Sequence, residues 1–205
     1  MWCGLCEQGV GMTFLILGLV LFLGVHSVRI FADEWRSRQI ALHGEKAWKG
    51  VYTVLSLAGF VLLVWGYGQA RLEPVALWTP WVGGRHLASL LTLIAFVLLA
   101  AANVPGNAIK ARLQHPMVLG VKLWALAHLL ANHTLADAVL FGSFLVWAVL
   151  DFRSARRRPA AASAVPVTAA RTALTVVAGL IAWAAFAFWA HGPMFGVRPF
   201  GPVGA

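Results

Sequence analysis

MTFLILGLVLFLGVHSVRIFA, residues 12–32, reads as one helix crossing a bilayer: no charged side chain interrupts it before Arg29. A hydrocarbon core needs roughly 20 consecutive apolar residues. The same reading applied along the chain gives about six spans: Met12–Ala32, Val51–Ala70, His86–Ala102, Pro116–Ala131, Leu135–Leu150 and Thr172–Ala190. The runs are continuous rather than alternating, which argues against a β-barrel. The fold class expected is an all-α polytopic transmembrane bundle.

Composition agrees with this reading. The 205 residues are 60% hydrophobic and 11% charged, with mean hydropathy +0.79. Soluble domains hold roughly 45–50% apolar residues. The net charge of +9 sits in the loops between apolar runs, so it reads as topology and affinity for anionic lipid rather than nucleic-acid binding. Arg36, Arg38, Lys46 and Lys49 follow the first span, Lys110 and Arg112 the third, and Arg153, Arg156, Arg157, Arg158 and Arg171 the fifth. The other side carries Arg71, Arg85 and Arg198. The positive-inside rule then places both termini on the periplasmic side of a bacterial inner membrane.

Residues 1–11, with Cys3 and Cys6 in an isolated Cys-x-x-Cys, are a candidate non-native extension; no second cysteine pair or following histidine supports metal or covalent haem. Residues 12–152 form a five-helix membrane block, 153–171 a basic cytoplasmic linker, and 172–205 the final helix with a periplasmic tail. The turn Asn132-His133-Thr134 joins the short fourth and fifth spans.

Two histidines inside apolar runs carry the chemical interest, because an ionisable group in hydrocarbon is costly and is read first as functional. Gly18, Phe22 and His26 lie four apart on one helix face, with Arg29 three residues on. Gly120, Trp124, His128 and Asn132 repeat that spacing in the fourth span. One reading makes His26 and His128 axial ligands, and so the metal ligands, of a haem b between the first and fourth spans. Arg29 and Lys122 would then meet the propionates, Trp124 would pack by the macrocycle, and Asn132 would set the His128 tautomer. The other reading gives each histidine an interhelical hydrogen bond and no cofactor. At a rise of roughly 1.5 Å per residue His26 lies deeper toward the cytoplasm than His128, a gap that helix tilt would have to close.

Two further patterns are weaker. His86, His133 and His191 share the outer layer and form a candidate zinc or copper set, although interfacial histidines without an acidic or thiol partner are the commoner case. The segment from Pro105 to Pro116 brings Lys110 and Arg112 to the N-terminus of the fourth span, where a lipid phosphate would be favoured.

Taken together, Gly-Val-His26-Ser27-Val-Arg29, Val104-Pro105-Gly106-Asn107, His115-Pro116-Met117-Val118-Leu119-Gly120, the run from Trp124 to Asn132, and His191-Gly-Pro-Met-Phe-Gly196-Val197 resemble the NnrU family. That family is associated with nitrite and nitric oxide reduction in denitrifying bacteria and is related to zeta-carotene isomerase, a haem b membrane enzyme. The resemblance implies haem ligation by His26 and His128, with a nitrogen-oxide reductase or electron-transfer protein as partner. A carotenoid cis–trans isomerase is a further alternative, with Ala125 standing where the isomerase branch carries a cysteine. His115-Pro116 with Gly120 is similar to membrane isoprenylcysteine-type methyltransferases, but Gln114 replaces their arginine and the acidic cofactor motif is missing. A non-catalytic assembly or transport accessory is the alternative of a different class.

Overall fold

The computed structural model describes residues 3–79, 81–158 and 165–200, with side chains from residue 9 onward. Cys3 and Cys6 therefore lie outside the described side chains, and linker residues 159–164 outside the described residues. Among the latter the chain is helical, with a single isolated bridge between Ala76 and Thr134. In order come α1 (Cys3–Phe31), α2 (Asp33–Ala70), α3 (Gly84–Asn103), α4 (Ala108–Leu113), α5 (Pro116–Ala131), α6 (Leu135–Arg156), α7 (Ala169–Ala185), a π-helical turn (Phe186–Ala190) and α8 (His191–Phe195).

Among the described residues five helices are long and apolar enough to cross a membrane: Gly9–Phe31, Asp33–Ala70, Gly84–Asn103, Leu135–Arg156 and Ala169–Phe195. Pro116–Ala131 is apolar but shorter. The fourth expected span is thus one helix of 16 residues, below the usual spanning length. Large aliphatic side chains stand exposed on these helices, Val20 at 67% and Ile181 at 64%. In lipid such exposure carries no penalty, and it marks a multi-pass helical membrane protein rather than a soluble bundle.

The chain divides into two compact units. Unit 1 takes Met1–Thr79 and Asn132–Ser154; unit 2 takes Pro80–Ala131 and Ala155–Ala205.

In unit 1, α1 lies antiparallel against α2, and glycines set their separation. A Cβ on Gly18 would strike the Leu63 backbone and one on Gly66 the Leu15 backbone; on Gly59 it would come 2.7 Å from Phe22 N. Small residues at such crossings are how membrane helices gain packing when lipid offers no hydrophobic drive. Gly11 and Gly18, like Gly59 and Gly66, are seven apart, so each pair returns to nearly the same helix face. Between the two spans the helical path breaks at Gly44 (φ +84). The break lets Trp35 meet Trp48 at 5.7 Å between ring centroids, whereas thirteen residues of straight helix would part them by roughly 20 Å.

Unit 1 also holds the start of α6. Thr134 and Asp137 form a capping box at its N-terminus: Asp137 Oδ2 accepts from Thr134 N at 3.1 Å and from Thr134 Oγ1 at 2.6 Å. Leu77 N donates to the His133 carbonyl and Leu135 N to the Val75 carbonyl, both at 2.8 Å. The loop after α2 is tied by these bonds to the start of α6.

In unit 2, α3 packs on both α5 and α7. A Cβ on Gly179 would come 2.6 Å from Val97 Cα, and one on Gly120 3.1 Å from the Ala95 carbonyl oxygen. Asn107, 1% exposed, caps α4 by accepting from Lys110 N at 2.7 Å. Its amide donates to the carbonyls of Ala101, at 2.9 Å, and Val104. Gly106 turns the chain at φ +72, and its carbonyl accepts from Thr168 N at 3.1 Å.

Candidate functional site

His26 lies on α1 within unit 1, half-buried. Its Nδ1 is 2.7 Å from the Phe22 carbonyl oxygen, one turn back. A carbonyl oxygen only accepts, so Nδ1 carries the proton and the lone pair belongs to Nε2. Three aromatic rings surround the imidazole: Phe22 at 4.2 Å, Tyr52 of α2 at 5.2 Å and Trp147 of α6 at 6.1 Å, the last edge-on. Phe144 extends the wall, 5.9 Å from Phe22. Three helices thus build one aromatic nest around His26. Beside it, α1 and α6 frame an open apolar cleft of ≈ 620 Å³ whose lining includes Gly24, Ser27, Gly142 and Trp147.

His128 lies on α5 within unit 2, also half-buried. Its Nδ1 is 2.8 Å from the Trp124 carbonyl oxygen, and the Trp124 ring is 5.2 Å from the imidazole. The same argument puts the proton on Nδ1. The two histidines therefore share one local design: a glycine eight residues back where a neighbouring helix comes closest, an aromatic four back, and that aromatic's carbonyl holding the ring. For Gly18 the close neighbour is Leu63 of α2; for Gly120 it is Ala95 of α3.

The remaining expected site residues fall as follows. Arg29 is largely exposed and ion-paired with Asp33 at 3.9 Å, and Asp33 also meets Arg36 at 3.6 Å. The Trp124 ring is tilted by 51° to the His128 imidazole. Lys122 is half-buried on α5, but six residues from His128 it points about 120° away around the helix. At His128 the Trp124 carbonyl holds Nδ1, and Asn132 follows the end of α5 at Ala131. At both histidines the Nδ1 bond lies within the histidine's own helix.

Of the outer histidines, His86 is exposed. His191 Nδ1 donates to the Val197 carbonyl at 2.6 Å and its ring meets Phe195 at 5.0 Å, closing the C-terminal turn on itself. Among the described residues no group of three His, Cys, Asp or Glu side chains converges on a metal position. The segment before the fourth span holds the short α4, where Ala108 N donates to Thr172 Oγ1 at 3.0 Å and Lys110 N to the Asn107 cap. The Lys110 ammonium donates to the Ala102 carbonyl at 2.7 Å.

Two features escape a one-dimensional reading. Tyr52 and Trp147 join His26 from separate helices, and nothing in local spacing marks them. The buried Asp137 accepts from the Tyr67 hydroxyl at 2.6 Å; its half of the arrangement was readable as the Thr134-x-x-Asp137 box, whereas Tyr67 was not.

No curated protein and no solved structure matches the chain. The NnrU protein family matches residues 14–199, which takes in both histidine stripes and the C-terminal turn. The chain therefore belongs to the NnrU family.

Proposed function

We propose that this NnrU-family protein serves nitrite and nitric oxide reduction at the bacterial inner membrane and binds haem b, with His26 and His128 as its imidazole ligands. One observation supports the reading most directly. At both histidines a backbone carbonyl holds Nδ1–H, at 2.7 and 2.8 Å, which assigns the lone pair to Nε2. A metal-ligating histidine needs that neutral tautomer and is commonly oriented by such a bond from its other nitrogen. The donor chemistry therefore fits a haem, and the aromatic rings around His26 supply the apolar surroundings that raise the influence of an axial ligand.

Haem, when bound, would supply a one-electron iron centre whose potential follows its ligands and burial. This chain's residues would hold the imidazoles, exclude water with Phe22, Tyr52, Trp147 and Trp124, and offer Arg29 and Lys122 to carboxylates. A reductase or electron-transfer protein would be its partner. The test is a reduced-minus-oxidised spectrum of the detergent-purified protein, produced with haem supplied. A Soret band at near-stoichiometric intensity is the expected result; its absence overturns the haem reading.

A second reading has one observation in its favour. Each histidine is bonded through Nδ1 to a carbonyl of its own helix and lies against that residue's tilted ring, which holds it in place without any cofactor. The protein would then be a non-catalytic assembly or transport accessory, and the same spectrum separates the two.

A further inference from the structure

Unit 1 holds a second, smaller cavity where α1 begins and α2 ends. It encloses ≈ 340 Å³ and is lined by Val10, Gly11, Trp65, Gln69, Ala70, Leu72 and Glu73. Glu73 is its one ionisable lining group. Its Oε2 is shielded from solvent and meets no hydrogen-bond donor among the described residues. A carboxylate oxygen withdrawn from water without a donor is an unbalanced acceptor. Its attraction for a cation is strengthened because the surrounding dielectric is low. The indole of Trp65, packed 4.5 Å from the Phe14 ring, is a second lining element of a kind that attracts cations, and the Gln69 amide offers a polar group beside it.

Depth narrows the ligand. Trp65 lies five residues, about 7.5 Å, before the end of α2 at Ala70, and Glu73 follows just beyond that end. An apolar spanning helix that terminates here places the cavity at the level of lipid headgroups, the usual place for an interfacial tryptophan. Arg71, at the same helix end, puts a positive charge two residues from the negative one. A headgroup that carries both an ammonium and a phosphate matches this order of charges. A quaternary ammonium has no N–H to give Glu73, so a primary amine is selected.

We propose that this cavity is a binding site for the primary ammonium of an aminophospholipid headgroup, with Glu73 as its acceptor and Trp65 as its wall. The site is independent of the histidines and of any haem.

The test uses the full-length protein in detergent, with phosphatidylethanolamine, phosphatidylcholine and phosphatidylglycerol of identical acyl chains compared by native mass spectrometry. Retention of phosphatidylethanolamine should exceed that of the other two by at least about tenfold, the scale of a charge-assisted hydrogen bond. Glu73→Gln keeps the shape and should bring it down to the phosphatidylcholine level. Leu72→Lys, at an exposed position, keeps Glu73 but supplies a tethered ammonium, and should compete in the same way. Unchanged thermal melting of both variants shows that they fold. Equal retention of the three lipids, or a preference that survives in Glu73→Gln, overturns the site. Free ethanolamine displacing the lipid at equal concentration would keep the ammonium site and overturn its lipid source.

Discussion

The hydroxyl of Tyr67 donates to Oδ1 of Asp137 at 2.6 Å, joining the end of α2 to the start of α6 across seventy residues of sequence. Asp137 is 6% exposed, and its other oxygen is occupied by the backbone and hydroxyl of Thr134. One carboxylate thus caps a helix and fastens a second one to it.

Removing either partner should destabilise unit 1. Tyr67→Phe is expected to cost about 1 kcal/mol and Asp137→Asn about 1–3 kcal/mol, because the latter leaves a buried donor facing donors. A double-mutant cycle read by denaturation in mixed micelles should return a coupling of about 1–2 kcal/mol, at the upper end for polar pairs in membranes. Additive losses would show that the bond contributes nothing beyond packing.

The α1–α2 crossing makes a sharper claim. Gly18→Val and Gly66→Val place side-chain carbons into the backbones of Leu63 and Leu15. They should lower stability by about 3 kcal/mol or more, beyond the usual cost of overpacking because backbone cannot move aside. A Cβ at Gly24 or Gly142 meets nothing within 4 Å. Alanine there should be neutral, or stabilising by up to about 1 kcal/mol through helix propensity. Melting temperatures that fail to separate these two pairs would contradict the packing described.

At the ligands, His26→Ala and His128→Ala should each abolish or shift the Soret band, and Phe22→Ala should leave the band in place, since the Phe22 carbonyl and not its ring holds the imidazole. Spectra identical to wild type in both histidine variants would remove the ligand assignment while leaving the fold untouched.

Asn107 offers a control outside both histidine stripes. Its side chain bridges three backbone groups while nearly fully buried. Asn107→Ala should cost about 2–4 kcal/mol through lost bonds and stranded carbonyls. Asn107→Asp should do no better, because it keeps the cap acceptor but loses the two amide donations. Recovery of wild-type melting in Asn107→Asp would show that the cap alone matters.

How much of this could be read from the chain depends on whether the information was local. Length and apolarity marked the spans, since each satisfies lipid on its own account, and the four-residue spacing from Gly18 to His26 and from Gly120 to His128 placed glycine, aromatic and imidazole correctly along each stripe. The role of Pro105-Gly106-Asn107 as a lock on α4 was hidden, because Asn107 looks like any polar loop residue until the carbonyls of Ala101 and Val104 are in place. Tyr52, Trp147 and Tyr67 were equally hidden. Aromatic residues are common in membrane helices, and only packing singles out those that face a histidine or a carboxylate.

The π-helical turn at Phe186–Ala190 has a consequence for insertions and deletions. There the His191 N–H reaches back five residues to the Phe186 carbonyl, so the segment holds one residue more than an α-helical repeat would. Excising any single residue from it would return the segment to ordinary winding and displace the chain beyond it relative to α3 and α7. The bond from His191 to the Val197 carbonyl would travel with that chain, but the Arg85 bond to the Pro199 carbonyl and the Trp183–Phe200 contact would be lost. The length of this stretch, more than the identity of its side chains, sets where the closed tail comes to rest.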